Sequence, residues 1–275
     1  MKPAPFDMIT AQTIPEALAH LGGGRDAKPV AGSQSLGPML NLRLTRPDLL
    51  VDLSRCPDLL AVTKETDAIL YGAALPHAAF EDGTVPDATP GWLPAIARRI
   101  AYRAVRNRGT IGGSLAHADP AADWVATMSG MGASVQLTGP DGTREMAMAD
   151  FITGALSTAL GTAEIITAVR VPRRGPAARW SYWKFCRKVG EFAKASATVL
   201  ADPDRGDYRV LACAIERAPV ALPDPRALIE DTANPHAAVT AAVEAALPFL
   251  SPERRALQVI ATLRALATLP PGEPR

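Results

Sequence analysis

Apolar residues fall in short clusters along this chain, separated by polar turn residues, glycine and proline. The spacing within each cluster predicts its element. Thr13-Ile14-Pro15-Glu16 has the form of a capping box and opens a helix that ends at Gly22-Gly23-Gly24. Apolar runs at 28–31 and 49–53 predict strands on either side of a helical turn at 39–44, a small βαβ-like start. Residues 68–74 predict a strand, followed by a helix from Pro76, and 91–103 predict a longer helix. Pro120 opens a helix over 121–131. Segments 133–138 and 143–148 flank Pro140-Asp141-Gly142, which predicts a hairpin, and 164–171 predict the closing strand.

Pro172-Arg173-Arg174-Gly175-Pro176 is the best linker candidate, and the pattern changes beyond it. Segments 180–187, 195–201 and 208–217 predict strands of an antiparallel sheet, with a turn at 202–207. Helices are expected at 236–246 and 252–269, and a disordered tail at 270–275. There is no internal repeat. The organisation implied is α+β: a domain over 1–174, in lobes of roughly 1–55 and 56–174, then a C-terminal domain over 175–275.

The 275 residues can bury a full core. A net charge of +1 makes no electrostatic case for nucleic acid or an anionic membrane. No apolar run approaches a membrane span, and Met1-Lys2-Pro3-Ala4-Pro5 is not a signal peptide, so the cytoplasm is the expected compartment. Cys56, Cys186 and Cys213 are scattered and odd in number. They argue against a disulfide framework and against an internal iron–sulfur cluster, which needs about four thiolates; buried thiols are expected.

Two stretches carry candidate chemistry. Gly109 to Asp123 sets Gly112-Gly113 among a threonine, a serine, a histidine and two aspartates, ahead of the helix from Pro120. Paired glycines permit close backbone approach, and a loop entering a helix offers N–H donors to an anion such as a pyrophosphate. Val30 to Pro38 is a second loop of this kind. Two such loops suit a ligand with two phosphates, or a long ligand held at several points.

Other motifs fail their context. Gly22-Gly23-Gly24-Arg25-Asp26-Ala27 spells a dinucleotide fingerprint but follows a helix, so it reads as a helix end. Gly32-Ser33-Gln34-Ser35-Leu36-Gly37 lacks the glycine spacing of a serine nucleophile. His117, Asp119 and Asp123 lack a further close ligand, and no metal is expected. Arg98, Arg99, Arg103, Arg106 and Arg108 form either a solvated helix face or, with Arg99, Arg103 and Arg106 on one side, a docking surface for an acidic partner. Trp180, Trp183 and Phe185 are expected to pack as sheet residues. His20, His77 and His236 are scattered and offer no clear general base.

The two loops carry a resemblance. Ala31 to Leu36 resembles an Ala-Gly-Gly-x-Ser-Leu loop, and Thr110 to Asp123 a Thr-Ile-Gly-Gly-Asn-Leu-Ala-x-x-Asp-Pro-x-x-Asp loop. Both belong to the flavin-binding subunit of the molybdenum hydroxylases, the family of xanthine dehydrogenase and carbon monoxide dehydrogenase. Phe6, Arg106-Asn107-Arg108-Gly109 and Arg187-Lys188-Val189-Gly190 also fit, and the resemblance covers residue 1 to about residue 230. Ser33 stands where the family has a second glycine, Ser114 where it has asparagine, Ala104 where glutamine is frequent and Phe192 where some members have tyrosine.

The resemblance implies a two-lobed FAD domain of the vanillyl-alcohol-oxidase-like type and a C-terminal domain of antiparallel sheet and helices. FAD is implied as a noncovalent cofactor lying extended in a cleft, with the molybdenum cofactor and iron–sulfur clusters on partner subunits only. The implied partners are a small iron–sulfur subunit and a large molybdenum subunit, assembled as a dimer of heterotrimers, with an external electron acceptor. The implied FAD contacts are Ala31, Gly32, Ser33, Gln34, Ser35, Leu36, Ile100, Thr110, Ile111, Gly112, Gly113, Ser114, His117, Asp119, Asp123, Ile166 and Lys184. Among them, Thr110 and the amides of Gly112 and Gly113 would approach the pyrophosphate. Asp123 would bond a ribose or ribityl hydroxyl, and Lys184 would lie beside the cofactor. No catalytic acid–base residue is required of an electron-transfer subunit. A self-contained flavoprotein oxidase or reductase and a flavin-less scaffold protein remain alternative readings.

Overall fold

The structure, a computed structural model, describes residues 2–188, 190–230 and 233–271. The chain forms three bodies in sequence order. The first holds β1 (Asp7–Thr10), α1 (Ile14–Leu21), β2 (Ala27–Val30), α2 (Leu36–Asn41) and β3 (Leu49–Asp52). Its parallel sheet runs β1-β3-β2. Thr13 caps α1 by accepting the Glu16 amide at 3.3 Å, and α1 stops at Gly22, as the capping box and glycine triplet predict. Strand β1 has no sequence signal: its residues are mostly exposed, and pairing with β3 makes it a strand.

The second body contains β4 (Val62–Lys64), β5 (Ala68–Gly72), α3 (His77–Glu81), α4 (Trp92–Ala97), α5 (Arg103–Arg106), α6 (Ile111–His117) and α7 (Asp123–Met131). It continues through β6 (Ser134–Gly139), β7 (Gly142–Ala147), α8 (Met148–Phe151), β8 (Ile152–Gly154), β9 (Ser157–Thr158) and β10 (Ile165–Pro172). Its antiparallel sheet runs β4-β5-β10-β6-β7, over a core that includes Tyr71, Phe80, Trp92, Trp124 and Phe151.

The third body holds β11 (Arg179–Phe185), β12 (Ala195–Asp202), β13 (Asp207–Cys213), β14 (Val220–Ala221), α9 (Pro225–Glu230), α10 (Pro235–Ala246) and α11 (Pro252–Ala267). Its four-stranded sheet is antiparallel throughout. Strand β12 is buried on both faces. Ala195, Ala197 and Val199 pack in the core with α10 and α11, while Leu200 joins the core of the second body. Every residue of α7 is buried, which fits a mainly apolar helix held between the second body's sheet and the third body's.

Three expectations are corrected. The helix expected over 91–103 ends at Ala97, turns through Ala101 at φ +38°, and resumes as α5. Arg106 stabilises that turn by donating to the carbonyls of Ile100 and Ala101 at 2.9 and 3.1 Å. The segment after Thr110 is the helix α6 rather than a loop. The linker candidate is pinned: the Arg174 side chain is 3% exposed and held by Asp202, Asp207 and the Met131 carbonyl. Smaller shifts also occur. Helix α7 begins two residues later than expected, α2 begins three residues earlier, and β13 stops before the left-handed Ala214 and Glu216. Cys56 and Cys213 are buried, and Cys186 is half-buried. Most of the expected disordered tail lies outside the described residues. Among the described residues no helix is long and apolar enough to cross a membrane.

Candidate functional site

The two motif segments meet face to face. The chain leaves β2 and passes Gly32, where an added Cβ would lie 2.1 Å from the Arg108 carbonyl oxygen and 2.6 Å from Gly109 Cα. Only glycine permits that approach. Ser33 follows at φ +58°, a left-handed backbone that favours glycine and accounts for the glycine at this place in the resembling loop. The turn closes when the Gly37 amide donates to the Ser33 carbonyl at 3.0 Å, and the Gln34 side-chain amide donates to the Gly32 carbonyl at 2.9 Å. Among the described residues, no acceptor takes the backbone amides of Ser33, Gln34 and Ser35. Gln34 and Ser35 are exposed, Ser33, Ala31 and Leu36 half-buried. Three N–H groups without an acceptor on one tight turn are donors of the kind that can take an anion.

The second segment is held more firmly. The Gly109 carbonyl accepts from the His77 amide at 2.9 Å, and the Ile111 amide donates to the Leu75 carbonyl at 3.1 Å. Thr110 Oγ1 caps α6 by accepting the Gly113 amide at 3.1 Å. The Gly112 amide donates to the Ala73 carbonyl at 2.9 Å, and the Ser114 amide to the Thr110 carbonyl at 3.0 Å. The amides of Gly112 and Gly113, expected to approach a pyrophosphate, are engaged within the chain, by the Ala73 carbonyl just after β5 and by Thr110 Oγ1. The glycines have packing reasons. A Cβ at Gly112 would lie 2.5 Å from Ala73 Cβ, and one at the exposed Gly113 would lie 2.8 Å from Thr110 Oγ1.

His77 binds this wall together. It is buried, and its Nδ1 accepts from the Trp124 indole N–H at 2.9 Å, so the neutral ring carries its proton on Nε2. Burial, aided by the charge of Arg106, lowers its pKa to about 4. One ring thus joins the Gly109 turn to the start of α7. The scattered histidines in the sequence gave no hint of this role.

Asp123 opens α7 and is buried. Its carboxylate accepts from the Tyr182 hydroxyl at 2.9 Å and pairs with Lys184 Nζ at 2.9 and 3.0 Å. Burial pushes the carboxyl pKa upward, and Lys184 and Tyr182 pull it back. Arg99 lies over the Tyr182 ring at 5.5 Å and donates to the Tyr182 carbonyl at 3.2 Å. Both expected residues, Asp123 and Lys184, therefore meet, but on each other. Tyr182 was missed, although alternation along β11 puts it on the same face as Lys184.

The remaining expected residues are dispersed around this centre. Ile100 is half-buried against the core of the second body, and Ile166 is buried on β10. His117 sits half-buried at the last turn of α6. Asp119 Oδ1 accepts the Ala121 amide at 2.9 Å, closing the turn into α7. The basic run does not form one face. Arg103 pairs with Glu81 and Asp82, and Arg106 with Glu81, while Arg99 belongs to the Tyr182 cluster. Arg98 and Arg108 stay exposed.

Residues 4–174 match the family described as the FAD binding domain in molybdopterin dehydrogenase. The chain belongs to that family. The carbon monoxide dehydrogenase medium chain of Afipia carboxidovorans is 38% identical over 205 residues, covering 73% of this chain and 70% of that one. Subunit alpha of the 6-hydroxypseudooxynicotine dehydrogenase complex of Paenarthrobacter nicotinovorans is 36% identical over 205 residues, covering 74% and 69%. The structure superposes on a chain of the carbon monoxide dehydrogenase of Hydrogenophaga pseudoflava with a TM-score of 0.88 at 31% identity, covering 97% of this chain and 98% of that one. The chain is thus a medium, FAD-type subunit of the molybdenum hydroxylase family and an oxidoreductase component.

Proposed function

We propose that the chain binds FAD noncovalently between the Ser33 turn and the Thr110 segment. It would relay electrons there from the iron–sulfur clusters of a small partner to an external acceptor. The observation that carries this reading is the wedge of Gly32 on Arg108 and Gly109, which sets the Ser33 turn, with the unoccupied amides of Ser33, Gln34 and Ser35, against the Gly109 turn that leads into α6. These amides suit a diphosphate, so the residues present fit the cofactor. When bound, FAD supplies the redox chemistry by exchanging electrons singly or in pairs.

The chain's own residues bind, orient and exclude water. Gly113 leaves the surface of α6 bare for a close ligand. Ala31, Leu36, Ile100 and Ile166 supply apolar walls, and Ser114, His117 and Asp119 line the α6 side. Asp123 and Lys184 form the buried polar end, where a ligand hydroxyl can join the carboxylate already held by Tyr182. We take 1–174 as the FAD-binding domain and 175–275 as a C-terminal domain that closes on it through this pair. The assembly is a dimer of heterotrimers with a small iron–sulfur and a large molybdenum subunit, in the cytoplasm. His77 is not a base for a self-contained oxidase, because its one lone-pair nitrogen is taken by Trp124.

Purification of the chain with its partners tests the reading. Flavin on this chain, with iron and molybdenum on two other polypeptides, is expected. Turnover of an organic substrate by the chain with FAD alone would contradict it in favour of a self-contained oxidase, and a colourless preparation in favour of a scaffold.

A further inference from the structure

One face beside the buried cluster combines exposed aromatics with unpaired positive charge. The β11–β12 hairpin end rests on the turn after α4: a Cβ at Gly190, which has φ +86°, would lie 2.8 Å from the Ala101 carbonyl oxygen. Lys184 Nζ also reaches the Arg99 carbonyl at 3.4 Å, so the two segments run side by side. Aromatic side chains project outward from both. Tyr102 is 70% exposed and Phe192 65%.

The charge on the same segments is positive. Arg98, Arg187 and Lys188 are exposed. Among the described residues no carboxylate pairs with Arg98 or Lys188, and Arg187 meets only Glu191 at 3.8 Å. The nearby acids, Glu81 and Asp82, are already neutralised by Arg103 and Arg106. A chain of net charge +1 thus concentrates free positive charge around projecting aromatics.

We infer that this face, formed by Arg98, Tyr102, Arg187, Lys188 and Phe192, docks the iron–sulfur subunit through an acidic, partly apolar surface on that partner. The inference rests on the subunit reading above and names the surface it uses. The form of the face selects a protein over a small molecule. Small ligands are enclosed by concave pockets, whereas these aromatics stand out from the surface. Exposed Tyr, Phe and Arg are the residues that anchor protein interfaces, and unpaired basic charge steers an acidic partner. The location suits electron entry: Arg98 is the chain neighbour of Arg99, which reaches Tyr182, and Gly190 packs on Ala101, so an iron–sulfur cluster docked here stands near the buried Asp123–Lys184 pair of the site.

The test isolates the complex from the native source through a tagged copy of the chain. Arg98→Glu/Arg187→Glu/Lys188→Glu should keep its FAD content and visible flavin spectrum. It should retain at least about tenfold less iron–sulfur subunit, identified by iron content and cluster absorption. The charge-conserving Arg98→Lys/Arg187→Lys should retain the partner nearly as the parent does, and capture by the parent should weaken as salt rises. Equal capture by the reversed variant overturns the inference while leaving the subunit reading intact. Loss of the partner in the charge-conserving variant, or loss of FAD together with the partner in the reversed one, also overturns it. Failure of the parent to bring down any iron–sulfur protein overturns the subunit reading itself.

Discussion

Replacing Gly32 by alanine attacks the contact on which the site depends. The new methyl would lie 2.1 Å from the Arg108 carbonyl oxygen and 2.6 Å from both the Arg108 carbonyl carbon and Gly109 Cα. All three obstacles are backbone atoms, so no side chain can rotate away. Heavy atoms rest about 3.5–4.0 Å apart, so the Ser33 turn and the Gly109 turn must separate by roughly 1–2 Å. Overpacking of this kind costs about 1–3 kcal/mol. If the strain falls on the Ser33 turn, FAD affinity drops by roughly 5- to 150-fold, at about 1.4 kcal/mol per decade. Fluorescence titration of the flavin-free chain with FAD reads this directly, and a smaller thermal shift at saturating FAD reads it independently. Gly83→Ala is the control. Gly83 has φ +67° with nothing within 4 Å of an added Cβ, so its substitution strains the backbone away from the site. It should cost stability and leave FAD affinity alone. If Gly32→Ala binds FAD within about twofold of the parent, the wedge is not part of the site.

Further substitutions probe the surrounding parts. Ser33→Gly relieves a left-handed backbone, and urea melts should show a gain of about 1 kcal/mol with FAD binding retained. Lys184→Met leaves Asp123 buried and unpaired, which costs about 3–5 kcal/mol at neutral pH. Because the Asp123 pKa is then raised further in the folded state, the deficit should shrink as pH falls and the carboxyl protonates, and Asp123→Asn in the same background should recover much of the loss. His77 has its pKa lowered from 6.5 to about 4, so its neutral form contributes stability above pH 6.5 that is lost as pH falls toward 4. That difference corresponds to about 3 kcal/mol, and His77→Gln should flatten the acid limb of stability against pH; an unchanged slope would remove His77 from the wall of the site.

How much of this was legible depends on whether a signal is local. The capping box at Thr13, the glycine stop at Gly22 and the hairpin around Gly142 depend on neighbours in sequence, and each occurs as predicted. The antiparallel C-terminal sheet was legible from the apolar and polar alternation along 208–217. The two motif loops were found from composition, but their geometry was not. Gly112-Gly113 lowers helix propensity, so α6 reads as a loop; the Ala73 and Leu75 carbonyls that hold it come from the segment after β5, far away in sequence. The arginine run reads as one helix face only if the helix continues past Ala97, and carbonyl bonds from Arg106 hold a turn there instead. Asp123 was identified, but Tyr182 lies 59 residues further along the chain, and nothing near Asp123 announces it.

The central claim is that this chain holds one FAD noncovalently, with no metal centre of its own. The direct measurement is the cofactor content of the purified chain, saturated with FAD, freed of excess and then denatured. About one FAD per chain is expected in the supernatant, with neither iron nor molybdenum in the preparation. Flavin that stays with the precipitated polypeptide, no flavin retained after saturation, or iron bound in the amount of a cluster would contradict it.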